Sequence, residues 1–103
     1  FREAVRVFRK SMELDPGRSD NHFGLGLAYQ RLSLNEEAEG EFLRAIDLDS
    51  KNIDAIYYLG ILYVQSGEIK KARQQLRNIK RIDSGHYMAM DLERIIKAWK
   101  PGS

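Results

Sequence analysis

The chain contains no cysteine, which excludes disulfide frameworks, thiol catalysis, zinc ribbons and iron–sulfur ligation, and leaves the redox compartment unread. Proline is confined to Pro16 and Pro101, so long helices between them go unbroken. No apolar run reaches the roughly 18 residues of a spanning helix and no signal peptide is visible, so no membrane insertion is expected. No segment sustains strand alternation either, which leaves an all-α reading. An excess of one charge is also missing: 17 Lys+Arg stand against 15 Asp+Glu, and the net +2 is too small to imply an acidic partner. What remains is 103 residues, 43% hydrophobic and 31% charged. That is ordinary globular composition at the length of one modest core or three supersecondary units, too short for a multidomain enzyme.

The chain is self-similar at a fixed period, the mark of a repeat architecture. Leu25, Gly26 and Tyr29 recur as Leu59, Gly60 and Tyr63, while Ala38, Phe42 and Leu48 recur as Ala72, Leu76 and Ile82. Every step is 34 residues. The same step backwards carries Ala38, Phe42, Asp49 and Ser50 onto Ala4, Phe8, Asp15 and Pro16, so the period covers nearly the whole chain. Each period holds two helical stretches. The first, Asp20–Leu32 and Ile53–Gln65, follow the capping candidates Ser19 and Asn52. The second, Glu36–Leu48 and Ile69–Ile82, follow Asn35 and Glu68, with Gly67 suited to a left-handed helix end.

These residues resemble the tetratricopeptide repeat, a 34-residue helix–turn–helix unit. The resemblance implies antiparallel pairs stacked as a right-handed solenoid, with Gly26 and Gly60 admitting a neighbouring helix, Ala38 and Ala72 receiving it, and Tyr29, Tyr63 and Phe42 filling the wedge between pairs. Departures from the pattern are His22 and Ile56 for the usual tryptophan, Ser50 and Ser84 for the closing proline, and Ile79 where the small residue of Ala45 recurs. Ser33 stands where the next turn has Gly67. A serine held at positive φ costs about 1 kcal/mol, so that turn is expected to be looser.

The phase of the repeat divides the chain into residues 1–18, the second helix of a truncated repeat; 19–52 and 53–86, two complete repeats; 87–100, a capping helix; and 101–103, a tail. Phe1 in place of methionine, and a start on a second helix, read as an excerpt from a longer product.

In the resembled family the first helices line a concave groove. Ile53–Val64 carries one charge, Asp54, and is otherwise apolar almost all round, so it must be covered on more than one side. Once Ile56, Leu59, Gly60 and Tyr63 fill the intra-repeat core, Tyr57, Tyr58, Ile61 and Val64 face elsewhere, as do Phe23 and Leu27 one repeat earlier. They predict an apolar, tyrosine-bearing groove edged by Asp20, Arg31, Asp54 and Gln65, the expected site for a partner protein or an amphipathic peptide. Internal packing would account for the same side chains. Family members that grip chaperone carboxylate tails use Lys, Asn and Arg at groove positions that here hold Phe23, Leu27, Tyr58, Met88 and Leu92, or Gly24, Asp54 and Tyr58. No cation or side-chain amide is among them, so a chaperone tail is not the expected ligand.

Lys70, Lys71, Arg73, Arg77, Lys80 and Arg81 run without an acid across residues 69–82. One period earlier Glu36, Glu37 and Glu39 hold the places of Lys70, Lys71 and Arg73, with Arg2 a period before, so sign alternates between equivalent positions. This favours repeat stacking over nucleic-acid binding, and explains the cations in a first helical turn. Residues 1–50 carry 7 basic and 10 acidic side chains and residues 51–103 carry 10 and 5, so the chain is dipolar and head-to-tail attraction is conceivable. A further reading is a structural or oligomerising segment acting through its ends. The first helix would expose Ala4, Val5 and Phe8, and the cap presents Met88, Leu92, Ile95, Ile96 and Trp99. Catalysis finds no footing: His22 and His86 lie far apart without a nucleophile or metal-ligand spacing, His22 reads as a packing substitute for tryptophan, and no cofactor or metal is expected.

Overall fold

The computed structural model describes residues 2–14 and 17–101, without the side chains of Phe8, Ser11 and Met12. The expectations placed on Phe1, Asp15, Pro16, Gly102 and the Phe8 side chain therefore lie outside the described residues. Among the described residues the chain is all-α, with six helices: α1 (Arg2–Leu14), α2 (Ser19–Arg31), α3 (Asn35–Leu48), α4 (Ile53–Gln65), α5 (Ile69–Ile82) and α6 (Tyr87–Ala98). The helices fall where the 34-residue pattern predicts them, displaced by at most two residues. They group into two compact units, Phe1–Ala55 and Ile56–Ser103.

In the first unit α2 packs against both α1 and α3. Two mid-helix glycines, Gly24 and Gly26, each cost α2 about 1 kcal/mol of helix propensity, and packing explains the second. A Cβ on Gly26 would lie 2.7 Å from the Phe42 ring, so only glycine lets that ring come so close to the backbone of α2. Leu25, Ala28, Ala38, Phe42 and Ala45 complete the core. The Arg9 guanidinium donates to the Tyr29 hydroxyl at 2.6 and 3.1 Å, joining α1 to α2. Ala4 and Val5 of α1, expected to face solvent, are half-buried.

In the second unit Leu59, Leu62 and Tyr63 of α4 lie in one core with Ala72, Leu76 and Ile79 of α5 and Ala89, Leu92 and Ile96 of α6. Gly60 plays a different part from Gly26. Its absent Cβ would meet Leu92 of α6 at 2.7 Å, rather than Leu76, the counterpart of Phe42. The close approach therefore passes forward to the next first helix.

The helix ends correct several expectations. Ser19 lies inside α2, whose N-cap is Arg18 without a side-chain cap. Its hydroxyl instead donates to the Ala45 carbonyl at 2.7 Å and accepts from the Asn52 amide at 2.8 Å, which ties the start of α2 to the end of α3. Asn52 does cap α4, accepting from the Ala55 N–H at 3.1 Å. Asn35 is already helical, since the N-cap of α3 is Leu34. The turn at Ser33 is not loose. Ser33 sits at φ 61° and Gly67 at φ 79°. The Leu34 N–H bonds to the Tyr29 carbonyl at 2.9 Å and the Glu68 N–H to the Tyr63 carbonyl at 2.8 Å, so the two turns close alike. The serine bears its backbone strain because the bonds closing the turn over-determine it.

Candidate functional site

The predicted groove residues separate by burial. On α2, Phe23 and Leu27 are half-buried and Asp20 and Arg31 exposed. Phe23 is anchored from below by Phe42, ring centroids 6.1 Å apart. On α4, Asp54 and Gln65 are exposed, and Tyr57, Tyr58 and Ile61 half-buried. Val64 departs from expectation. It is only 7% exposed, a core residue with no surface to offer.

The α4 tyrosines meet α6 in an open pocket of about 680 Å³ lined by Tyr57, Tyr58, Tyr87, Met88, Met90, Asp91 and Arg94. Tyr57 and Tyr58 stand edge to face, 5.1 Å apart at 88°, which holds both rings in place. Tyr87 and Met90 are 68% and 62% exposed, unusual for side chains of their size, and the two methionines bring adaptable, polarizable surface. The pocket's charge is spent internally: the Tyr57 hydroxyl donates to one oxygen of Asp91, and Arg94 donates to the other. Burial, then the Asp91 bond, pushes the Tyr57 phenol up to about 12. Tyr57 and Arg94 together hold the Asp91 carboxyl below its ordinary value. The arrangement therefore presents a predominantly apolar, aromatic surface, with a neutralised ion pair at its edge.

The residues read as an end-face association surface are dispersed. Leu92 is fully buried beneath Gly60 and is no docking side chain. Met88 lines the tyrosine pocket instead of an end. Ile95 and Trp99 are half-buried, Trp99 beside the turn at Gly67. The repeat explains the outer face of α6. Glu93, Arg94 and Lys97 occupy the positions of Leu59, Gly60 and Tyr63, so charge stands where the earlier repeats pack.

Sequence reasoning missed Tyr87, Met90, Asp91 and Arg94. A signal for Asp91 was present, since it lies 34 residues after Tyr57 and equivalent positions of adjacent repeats are neighbours. It also missed the role of His22, read as a packing substitute. His22 Nδ1 lies 2.7 Å from Glu41 Oε2, both side chains 10% exposed, and Arg44 donates to the other Glu41 oxygen at 2.8 Å. Lys71, in the first turn of α5, is answered locally by Glu68 at 3.0 Å and lies over the Tyr63 ring. His86 caps α6, accepting from the Met88 N–H at 3.1 Å.

Two family models, both described as tetratricopeptide repeat, match residues 1–53 and 41–74. The chain is 25% identical over 96 residues to the probable UDP-N-acetylglucosamine–peptide N-acetylglucosaminyltransferase SPINDLY of Petunia hybrida, covering 93% of this chain and 10% of that protein. The chain thus spans about a tenth of the length of the curated relatives it matches. Its fold is similar to the Yersinia enterocolitica type III secretion chaperone SycD, solved with a peptide of the translocator YopD, at TM-score 0.86 and 19% identity over 94% of this chain and 77% of that one. It is also similar to the second TPR domain of human RPAP3, solved with the HSP70 peptide SGPTIEEVD, at TM-score 0.81 and 22% identity over 90% and 78%.

Proposed function

The chain belongs to the tetratricopeptide repeat family and is a protein-interaction module of that kind; from this premise we propose that it binds an apolar or amphipathic peptide segment, with the tyrosine pocket as anchor. One observation carries the reading: Tyr58, Tyr87, Met88 and Met90 converge on a pocket whose only carboxylate is already bonded to Tyr57 and Arg94. Such a surface gains most by covering apolar side chains, and would waste the desolvation of an acidic tail. Phe23, Leu27, Arg31 and Asp54 in the first unit, and Ile61 and Gln65 in the second, are further candidate contacts in this reading.

The same argument disfavours a chaperone carboxylate tail. SycD and RPAP3 were solved with peptides, which supports peptide binding as the mode; the chemistry differs here because Tyr58, Met88 and Leu92 stand where a carboxylate clamp needs cations or amides. The module is read as non-catalytic. The transferase activity named for its plant relative belongs to a protein of which this chain matches about a tenth, and His22 is engaged with Glu41. The repeat boundaries at residues 19, 53 and 87 belong to this proposal, as does a solenoid of a half, two wholes and a half.

Peptide display tests it. Selection on the wild-type chain should enrich sequences with leucine, methionine or aromatic anchors at helical spacing. Tyr58→Ala and Met90→Ser should each weaken the selected peptide at least tenfold while leaving the circular dichroism unchanged. Enrichment of acidic sequences that need a free C-terminal carboxylate would contradict it.

A further inference from the structure

Two equivalent helices carry opposite charge at equivalent positions. Glu36, Glu37, Glu39 and Asp47 of α3 recur, each 34 residues on, as Lys70, Lys71, Arg73 and Arg81 of α5. On α5, Arg77 and Lys80 strengthen the sign, and no acid interrupts residues 69–82. At 1.5 Å per residue each stripe runs about 16 Å along its helix.

Most of these charges are not consumed by local pairing. Glu36, Glu37 and Asp47 on one helix, and Lys70, Arg73 and Arg81 on the other, are all exposed. None of the six makes an ion pair among the described residues. Lys71 and Lys80 differ, being answered by Glu68 and Glu93. The sign of α5 is costly where it stands. Its first turn holds Lys70 and Lys71 and no acid, against the helix dipole, whereas the first turn of α3 holds Glu36 and Glu37, in accord with it. Near the middle of the acidic stripe Leu43 is 47% exposed, which adds apolar surface for a helix laid across it.

We propose that the basic face of α5 in one copy of this chain docks on the acidic face of α3 in a second copy. The occupant is identified by charge complementarity: the stripes have the same length, the same spacing and opposite sign, because one is the other displaced by a repeat. Neither face offers the buried apolar area of an obligate dimer. The association is therefore weak, steered by charge and screened by salt. It is independent of the tyrosine pocket, none of whose lining residues belongs to either stripe.

Sedimentation equilibrium of the whole chain reads it. The average mass should rise with protein concentration in about 20 mM salt and return to the monomer in about 0.5 M salt, where the screening length falls below 5 Å. Two variants separate the faces: E36K/E37K/D47K makes both stripes basic, and K70E/R73E/R81E makes both acidic. Each alone should stay monomeric at low salt, and an equimolar mixture should associate again, because the basic α3 of one meets the acidic α5 of the other. All six positions are exposed, so circular dichroism should match the wild type. A wild-type chain monomeric at low salt would overturn the proposal, as would a mixture that stays dissociated. So would association that persists in high salt and is lost in Trp99→Ala, which would place the contact at the chain's end. Retention of the wild-type monomer on a poly-glutamate or DNA column, lost in K70E/R73E/R81E, would give the basic face to another partner.

Discussion

The Tyr57 hydroxyl donates a hydrogen bond to the carboxylate of Asp91, its own counterpart one period later. The repeat brings equivalent positions on α4 and α6 side by side, and the chemistry differs because the residues differ: a phenol faces a carboxylate, and Arg94 holds that carboxylate from the other side. The bond closes one wall of the tyrosine pocket and removes its only negative charge from competition for ligand.

This pair links stability to pH at both ends of the scale. The Tyr57 phenol is raised to about 12 from an ordinary value of 10.0, so its contribution is complete below pH 10 and disappears as pH rises through 12. Asp91 is lowered, so its contribution is present above the ordinary carboxylate range and lost as pH falls through its depressed value. Tyr57→Phe should cost about 1 kcal/mol at neutral pH. The deficit should narrow towards pH 3 and again above pH 11, followed by urea denaturation midpoints across that range.

Ser33 pays for a left-handed conformation that Gly67 adopts freely in the matching turn. Ser33→Gly should stabilise the chain by up to about 1 kcal/mol, a rise of about 4–8 °C in the thermal midpoint. Gly67→Ala should lower the midpoint by a similar amount, and differential scanning calorimetry distinguishes the two signs.

The two packing glycines should respond unequally to alanine. A methyl group at Gly26 meets the rigid Phe42 ring, whereas one at Gly60 meets the two terminal methyls of Leu92, equally buried but on a side chain with two rotatable bonds to yield. Gly26→Ala should cost about 1–3 kcal/mol and Gly60→Ala less. Phe42→Leu should partly relieve the first and leave the second unchanged, read from chemical denaturation.

Glu41 is buried and bonded on one oxygen by His22 and on the other by Arg44. Glu41→Ala should destabilise by about 1–3 kcal/mol, because a buried ring nitrogen loses its partner and a void opens. Arg44→Ala, at a side chain 68% exposed, should cost well under 1 kcal/mol.

What was legible in the sequence was what repeats. Leu25–Gly26–Tyr29 and Leu59–Gly60–Tyr63 set the period, and the period placed α4 and α5 at their observed bounds. Contacts made between helices of different repeats were harder to see. Filling the core within one helix pair leaves Val64 over, and a cap without a following helix leaves Leu92 over, yet both are buried because each packs against more than one neighbour. His22 and Glu41 were invisible as a pair because His22 stands where the signature has tryptophan and so reads as packing, while Glu41 lies outside the signature. Asp91 was within reach, through its 34-residue offset from Tyr57.

Ligand entry at the tyrosine pocket is read residue by residue from amide chemical shifts. Titrating the isotope-labelled chain with a display-selected amphipathic peptide should shift the amides of Tyr57, Tyr58, Tyr87, Met88 and Met90 together and leave the exposed face of α5 unmoved. Shifts confined to α5, or to the ends of the chain, would contradict it.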